Sequence, residues 1–500
     1  MQQIHKSLHV DSPQLSSRML PAKTPTSHAH PRLETVRSLG LQSMSNARSF
    51  LCILVLLLLR LSCNIVSVSA QGTGTFGING HWEGAFNRLG SIQTVQLNIK
   101  QEGTGYKATY DIPDLFIFDE PVKEVSYNDP HLLIDIDYGK FILTVHSSSQ
   151  EMTGEDKEWG PPVTLHLKRV LAHPRCYRMR DVVISNHDIR IAGTLYLPLS
   201  PGKHPAIVMV MGSGDQGRTS QFYRAWGPFF AERGLVALLY DKRGVGSSSG
   251  NWKQSTFGDL SSDAAAASEL LSKQPEVDSK RLGIMGISQG GYIAALTVRN
   301  SHIIRFVILD VTPAVTTEEQ GLERVEYTMR RDGASAEDIR EALDYTKQAF
   351  QCAYSGKGWT ELKKRSEELK SKTWAETVGL VEDETELETI RLQEFDPVPS
   401  LTEIKTPVIA LYGGIDTLVP PQENEAKMRQ YLGRSSHDSQ VVVIPDVKHD
   451  METLQKLEGK KWEWPDKYWI WAKKSPLFFQ TIEEWMVKRQ YMEPARTESQ

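Results

Sequence analysis

The sequence predicts an α/β fold, a mostly parallel eight-stranded sheet with a helical cap, preceded by a small all-β domain. Two patterns lead to this prediction. From residue 181 onward, short apolar runs alternate with helical segments, as in proteins whose parallel strands are buried on both faces. Residues 76–169 instead contain short stretches of alternating apolar and polar residues, separated by Gly, Pro, Asn and Asp. This second pattern is typical of a sandwich or a partial barrel.

In the α/β region, an antiparallel pair of strands is predicted at 181–185 and 190–197, followed by six buried strands. The predicted buried strands are 206–210, 235–239, 282–285, 306–309, 408–411 and 441–444. The predicted helices between and after them are 221–232, 258–271, a segment that starts at 293, 423–432 and 477–487. In the all-β domain, the clearest strands are 95–100, 131–137, 140–145 and 163–167.

The alternation of strands and helices breaks once, between Pro313 and Thr406, where the chain is mostly helical and highly charged. A structureless loop of this length is uncommon inside a compact domain. Residues 313–406 are therefore predicted to form a helical cap between two parts of the core, 181–312 and 407–490. We expect the cap to roof a pocket at the carboxyl edge of the sheet, although it could instead buttress the all-β domain. The aromatic residues predicted for its underside are Phe350, Tyr354, Trp359 and Trp374.

Residues 1–70 are predicted to be a leader segment that is removed on export. The apolar block at 50–59 is about ten residues long, whereas a membrane-spanning helix needs roughly twenty. The residues that end at Ala70 fit a signal-peptidase site, which predicts cleavage before Gln71 and a secreted or periplasmic protein. Lipid attachment at Cys63 is a weaker alternative, because Arg60 occupies a position where that motif requires an aliphatic residue.

Charge and cysteine content exclude several classes of protein. Residues 1–70 hold seven Lys or Arg and two Asp or Glu, so the remaining chain has 50 basic and 60 acidic residues and a net charge of −10. An acidic chain without a basic cluster is poorly suited to nucleic acid or to an anionic membrane, so neither partner is expected, and no stable membrane anchor is expected. Only Cys176 and Cys352 remain, enough for one bridge but not for a disulfide framework. No motif requires a metal or another cofactor.

Ser288 lies between an apolar run and the start of an Ala- and Leu-rich helix, with Gly286 and Gly290 two positions away on either side. A strand that turns directly into a helix forces its middle residue into a strained backbone conformation, and bulky side chains at the two flanking positions would collide. Glycine removes those collisions, so the serine hydroxyl projects alone at the carboxyl edge of the sheet. The pattern predicts a catalytic nucleophile, and the simpler alternative is an ordinary turn between strand and helix.

A serine nucleophile requires a base, and the base requires an orienting acid. Asp416 follows one predicted strand in a Gly-Gly turn, and His449 follows the next strand. Both residues should therefore lie at the sheet edge that carries Ser288. Each residue alone would be unremarkable, but their joint occurrence in the order Ser, Asp, His predicts a catalytic triad.

Two other carboxylates could supply the acid. Asp310 ends the predicted strand 306–309, at the same edge of the sheet. Asp450 is next to His449, but the side chains of adjacent loop residues usually diverge. Both alternatives remain open from the sequence.

An oxyanion formed during acyl transfer must be stabilised by backbone N–H groups that are already in position. Gln289, directly after Ser288, should supply one of them. The loop that follows Val210 should supply the other, and the N–H of Ser213 is the predicted donor because its flanking glycines allow close approach to a ligand.

These motifs together resemble the α/β-hydrolase superfamily. The matching segments are 211–214, 240–247, 286–290 and 413–416. More narrowly, the chain is similar to bacterial serine esterases that are related to prolyl-oligopeptidase-type hydrolases and carry an N-terminal β domain. The resemblance implies a carboxylesterase for short- to medium-chain acyl esters, with Ser288, Asp416 and His449 as its triad. Met211 departs from the pattern, because many such esterases have a histidine there.

The leading hypothesis is therefore an exported serine esterase that acts on a small-molecule ester through an acyl-enzyme, without a cofactor. A serine peptidase or aminoacyl hydrolase on the same scaffold is one rival, although the N-terminal region is too short for the propeller that such peptidases carry. A carbohydrate-ester deacetylase is a second rival. A binding protein built on an inactive hydrolase fold belongs to another class, and the complete Ser, Asp and His set argues against it.

Overall fold

The computed structural model describes residues 77–88, 90–156, 162–172, 175–453 and 473–494. The predicted leader, 1–70, and its cleavage site after Ala70 lie outside the described residues. In the ranges that the structure describes, no helix has both the length and the apolar character needed to cross a bilayer.

The first part of the described chain is an antiparallel sheet of nine strands. They are β1 (Gly80–Arg88), β2 (Ser91–Glu102), β3 (Gly105–Ile112), β4 (Ile117–Pro121), β5 (Glu124–Asn128), β6 (His131–Ile136), β7 (Gly139–His146), β8 (Glu151–Asp156) and β9 (Val163–Val170). Their order in the sheet is β4-β3-β2-β1-β9-β8-β7-β6-β5. Each strand thus pairs with a neighbour in sequence, except where β9 returns to pair with β1.

The two end strands of this sheet are joined by a short segment that closes it into a barrel. The backbone N–H of Val122 donates to the carbonyl oxygen of Ala108 on β3 at 2.9 Å, and that of Lys123 donates to Asp135 on β6 at 2.8 Å. Large side chains such as Trp82 and Phe86 fill the interior. The predicted all-β region is confirmed, and it is a closed barrel because one bent segment pairs with both ends of the sheet.

The second part of the chain contains an eight-stranded sheet, as predicted. Its strands are β10 (Tyr177–Asn186), β11 (Ile189–Pro198), β12 (His204–Val210), β13 (Val236–Tyr240), β14 (Val277–Ile287), β15 (Phe306–Asp310), β16 (Val408–Gly413) and β17 (Ser439–Ile444). Their order is β10-β11-β13-β12-β14-β15-β16-β17. The pairs from β13 to β17 are parallel, and β10 and β11 form the predicted antiparallel hairpin. The carboxyl ends of the parallel strands consequently meet at one edge.

Helices cover both faces of this sheet, and a group of helices follows β15. The helices are α1 (Gln221–Arg224), α2 (Trp226–Ala231), α3 (Phe257–Ser272), α4 (Gln289–Asn300), α5 (Thr317–Arg331), α6 (Ala336–Ser355), α7 (Trp359–Leu369), α8 (Ala375–Val378), α9 (Glu384–Leu392), α10 (Val398–Glu403), α11 (Pro421–Ser435) and α12 (Pro476–Lys488). Helices α3, α4 and α11 bury apolar side chains against one face of the sheet, and α2 and α12 bury theirs against the other.

The inserted helices α5 to α9 have an apolar core of their own. Trp374 is buried in it, and its indole N–H donates to Asp338 at 3.2 Å. Trp359 and Tyr354 pack against the same core. The expectation that Trp374 lines the underside of the cap is therefore wrong, because an insertion of several helices must first bury its own apolar residues.

The barrel packs against the α/β part through an aromatic cluster around Phe116. Its ring lies within 4.7–6.3 Å, centroid to centroid, of five other aromatic rings. Those rings belong to Phe118, Phe222, Trp226, Phe229 and Phe479. Arg224 reinforces this contact, because its Nε donates to the carbonyl oxygen of Phe118 at 3.1 Å and its guanidinium pairs with Glu120. Of the two cysteines in the described residues, Cys176 is exposed and Cys352 is buried.

Candidate active site

Ser288 is the residue at which β14 ends and α4 begins. Its backbone has φ 54° and ψ −123°, a conformation that is strained for any residue other than glycine. Two hydrogen bonds hold it there, because its N–H donates to the carbonyl oxygen of Asp310 and its own carbonyl oxygen accepts from Gly291, both at 2.8 Å. The side chain is half-buried. This is the sharp strand-to-helix turn that the Gly-x-Ser-x-Gly spacing predicts.

The two glycines that flank Ser288 are required by close backbone contacts. A Cβ atom at Gly286 would overlap the backbone of Gly290, and one at Gly290 would overlap the carbonyl oxygen of Val210, the last residue of β12. The collisions expected from the sequence are therefore found in the structure. The contact between Gly290 and Val210 also places the start of the loop after β12 directly against the turn at Ser288.

Asp416 and His449 are joined by a hydrogen bond of 2.7 Å between Asp416 Oδ2 and His449 Nδ1. Asp416 is fully buried in the loop that follows β16. Its other oxygen, Oδ1, accepts from the backbone N–H groups of Leu418 at 2.8 Å and Val419 at 3.0 Å. These donors stabilise the ionised carboxylate, which in turn fixes the imidazole with Nδ1 towards Asp416 and Nε2 directed elsewhere.

The loop after β17 holds His449 with its side chain about one-fifth exposed. Met451 anchors the loop, because its carbonyl oxygen accepts from the N–H of Ser475 at 2.8 Å and its own N–H donates to Lys448. Within the described ranges, no hydrogen bond joins Ser288 Oγ to His449 in this structure. In unliganded sites this bond is commonly long, and it shortens when substrate binds.

The other two carboxylates weighed from the sequence contact different groups. Asp310 is fully buried, and neither of its carboxylate oxygens has a hydrogen-bond partner among the described residues. Burial raises the pKa of the Asp310 carboxyl well above its ordinary value, and the charge of Asp416 raises it further. Asp450 lies 3.4 Å from Lys474 and accepts from the N–H of Glu452. The carboxylate that orients His449 is therefore that of Asp416.

The loop from Met211 to Gly214 lies against the Ser288 turn. A Cβ atom added to Gly212 would be 3.5 Å from Ser288 Cβ and 3.2 Å from the carbonyl oxygen of Ile287. The N–H of Gly212 already donates to the hydroxyl of Tyr223 at 2.8 Å. Ser213 is exposed, and its N–H has no hydrogen-bond acceptor within the described part of the chain. Gln289 is the first residue of α4, where backbone N–H groups lack an acceptor within the helix.

The sequence between residues 205 and 451, which contains all of these candidates, matches a family model described as the alpha/beta hydrolase fold. Residues 205–451 belong to the α/β-hydrolase fold family. The sheet order, the turn at Ser288 and the strand-end positions of Asp416 and His449 all agree with this assignment.

Among curated relatives of this α/β hydrolase, an uncharacterised protein PA2218 from Pseudomonas aeruginosa is 30% identical over 131 residues, 26% of this chain and 35% of the relative. Esterase EstD from Thermotoga maritima is 22% identical over 325 residues, 63% of this chain and 69% of that protein. The chain thus spans about a third of the length of the first relative. Among solved structures, the Pyrococcus furiosus esterase Pf2001 aligns with 64% of this chain and 96% of its own, with 16% identity and a TM-score of 0.43.

The cap of the α/β hydrolase touches the loop that carries Asp416 and the residue after the nucleophile. On α5, Thr328 donates to the carbonyl oxygen of Thr417 at 3.3 Å. At the end of α9, Gln393 accepts a hydrogen bond from the side chain of Gln289 at 2.8 Å and donates to the carbonyl oxygen of Trp252 at 3.2 Å. The insertion therefore contacts the carboxyl edge of the sheet.

Three residues near the candidate site were not singled out from the sequence. Tyr223 binds the N–H of Gly212, Gln393 contacts Gln289 from the cap, and Lys242 binds the loop after β12 through its ammonium group. Tyr223 and Gln393 belong to no spaced motif, and Lys242 lies in the matching segment 240–247 but was assigned no role there. In the described ranges, no group of three or more His, Cys, Asp or Glu is arranged as metal ligands would be.

The buried carboxyl of Asp310 gives a prediction about stability and pH. Its pKa is raised in the folded protein, so above about pH 4 the unfolded chain releases a proton that the folded protein retains. Raising the pH therefore lowers the contribution of Asp310 to the free energy of unfolding, by up to about 1.4 kcal/mol per pH unit. Asp310→Asn removes this dependence. Urea denaturation at pH 5, 6 and 7 should show the variant gaining stability relative to wild type as pH rises, and a constant difference would mean that Asp310 is ionised when folded.

Proposed function

We propose that this protein is a serine carboxylesterase that hydrolyses short- to medium-chain acyl esters through an acyl-enzyme intermediate. The observation that carries the proposal is the hydrogen bond between the buried Asp416 and His449, which lies at the same sheet edge as a serine in a strained turn. If these residues served only a turn or packing, the buried carboxylate of Asp416 would not need to orient the imidazole of His449. This orientation leaves His449 Nε2 available to bind another group.

In the proposed reaction, Ser288 Oγ attacks the carbonyl carbon of the ester, and its proton passes to His449 Nε2. Asp416 stabilises the imidazolium and keeps it in one orientation. The carbonyl oxygen becomes an oxyanion that accepts hydrogen bonds from the backbone N–H groups of Gln289 and Ser213.

Collapse of the tetrahedral intermediate breaks the bond to the alcohol oxygen, which takes the proton from His449 and leaves Ser288 acylated. A water molecule then attacks the acyl carbon and gives a proton to His449 Nε2. The second tetrahedral intermediate breaks the bond to Ser288 Oγ, which takes that proton back from His449, and the acid is released. Every proton and bond in this cycle is accounted for without a cofactor.

A substrate panel tests this proposal against its two rivals. Aryl acetate to octanoate esters, acetylated sugars and aminoacyl anilides should be compared by kcat/KM, and intact mass after acid quench should detect the acyl-enzyme. We expect the aryl esters with short and medium acyl chains to give the highest kcat/KM. The Thermotoga relative, whose name is Esterase EstD, supports esters rather than anilides as substrates. A preference for anilides would favour the peptidase rival, and one for acetylated sugars would favour the deacetylase.

Export is part of the proposal and has its own test. The leader at 1–70 motivates it, because its apolar block is short and a small-residue site precedes Gln71. We expect protein recovered from the extracellular or periplasmic fraction to begin at or near Gln71 by N-terminal sequencing. A mature chain that begins at a lipidated Cys63 would instead indicate a membrane-anchored protein.

A further inference from the structure

Lys242 is a buried lysine next to the proposed catalytic groups, and the mechanism above does not use it. It follows β13, and only 5% of its surface is exposed. Burial of an ammonium group is costly unless hydrogen bonds compensate for the lost water. Burial lowers the pKa of Lys242 to about 8, with the charge of Asp215 opposing that effect, so the side chain is mostly protonated at pH 7.

The hydrogen bonds of Lys242 go to the loop that faces Ser288. Its Nζ donates to the carbonyl oxygen of Gly212 at 2.5 Å and to that of Gly214 at 2.9 Å. The same ammonium lies 4.8 Å from the centre of the Trp252 ring, a distance that permits a cation–π interaction. The two accepting carbonyls belong to the residues on either side of Ser213, so Lys242 fixes the backbone before and after it.

The carbonyl of Gly212 and the N–H of Ser213 are two ends of one planar peptide group. This peptide is trans, so the N–H points away from the ammonium that binds the carbonyl. A charged donor at the carbonyl also polarises the peptide, which makes its N–H a stronger donor. On the other side of Gly212, its N–H is held by the hydroxyl of Tyr223. The peptide that carries the proposed oxyanion donor is therefore held through its carbonyl by Lys242, the peptide before it is held by Tyr223, and the Ser213 N–H is left without an acceptor among the described residues.

We propose that Lys242 is a positioning residue that orients and polarises the Gly212–Ser213 peptide, so that the Ser213 N–H stabilises the oxyanion. The inference depends on the proposed esterase function. Because the negative charge develops only in the transition state, Lys242 should affect kcat rather than substrate binding. Removal of one oxyanion donor typically costs about 10²–10³ in kcat, so weakening it should cost about 10- to 100-fold.

Lys242→Met tests the role by removing the charge and the donors while keeping an unbranched apolar side chain. The matched control is Lys253→Met, since Lys253 also lies near the Trp252 ring, at 5.8 Å, but is exposed. Kinetics should be measured with one aryl ester, and the affinity of a trifluoromethyl ketone, which forms a tetrahedral oxyanion on Ser288, should be measured in parallel.

We expect Lys242→Met to lower kcat by about 10- to 100-fold, to change KM less than twofold and to weaken the ketone in proportion to the loss of kcat. Lys253→Met should change none of these by more than twofold. An unchanged kcat for Lys242→Met, or a loss expressed only in KM, would overturn the role of Lys242. An inactive wild-type protein would overturn the proposed function and this inference together, whereas an active wild type with an unaffected Lys242→Met overturns only the inference.

A second measurement on the wild-type protein covers the case in which Lys242→Met does not fold. If Lys242 stabilises the oxyanion, the oxyanion must stabilise protonated Lys242 to the same extent. In a titration followed by nitrogen-15 NMR of the lysine side chains, the pKa of Lys242 should therefore rise when the trifluoromethyl ketone binds. A pKa unchanged by the bound ketone would also overturn the proposal.

Discussion

Replacing Ser288 with alanine is expected to lower kcat for ester hydrolysis by about 10⁴- to 10⁶-fold. The hydroxyl is the only protein group in the proposed reaction that forms a bond to the substrate carbon, so its loss removes the acyl-enzyme step. The fold should persist, because the side chain is half-buried and the turn is held by backbone bonds to Asp310 and Gly291. Steady-state kinetics with an aryl ester measure the loss, and thermal unfolding monitors the fold.

The control for this experiment is Ser149→Ala, a serine exposed in a turn of the barrel. It should retain wild-type kinetics when it is purified by the same procedure, so a loss confined to Ser288→Ala cannot be attributed to the purification or to the replacement of a serine as such. A Ser288→Ala protein that keeps most of its activity under those conditions would refute the assignment of the nucleophile.

Asp416→Asn is expected to lower kcat by roughly 10⁴-fold. The asparagine oxygen would accept from Leu418 and Val419, as Asp416 Oδ1 does now, and its NH₂ group would face His449. His449 Nδ1 would then have to accept a hydrogen bond, which moves the ring proton to Nε2. A protonated Nε2 cannot take the proton of Ser288.

The matched control is Asp310→Asn, which changes a carboxyl at the same edge of the sheet that does not bind His449. Its kcat should fall far less than that of Asp416→Asn. If the two variants ranked in the opposite order, Asp310 would be the acid that acts on His449, and the assignment of Asp416 would be wrong.

The core sheet could be predicted because buried parallel strands are apolar along their length. The run at 306–309, for example, corresponds to β15 (Phe306–Asp310). The pattern was weaker where strands leave the core. Strand β14 (Val277–Ile287) is longer than the apolar run at 282–285, because residues 278–281 of the strand are polar and at least partly exposed and so gave no apolar pattern. The helix predicted at 221–232 is divided, because the ring of Pro228 would clash with the carbonyl of Arg224 in a continuous helix.

Closure of the barrel could not be read from local patterns. It depends on Val122 and Lys123 bonding to strands on opposite sides, which is a matter of tertiary register. The residues of the candidate site also differ in how far local sequence patterns indicate them. Ser288 and Asp416 could be predicted because strand ends and glycines mark them. Lys242 also follows a strand, in the matching segment 240–247, but its role could not be predicted because its partners are backbone carbonyls 28 and 30 residues away in sequence.

Covalent labelling is the most direct test of the central claim, that Ser288 is a nucleophile activated by His449. The protein should be treated with a fluorophosphonate, which reacts with activated serines, and then mapped by peptide mass spectrometry. We predict one label per chain, on Ser288, with labelling slowed by orders of magnitude in His449→Ala. Stoichiometric labelling of another residue such as Ser213, or full ester hydrolysis by a protein whose Ser288 remains unlabelled, would contradict the account.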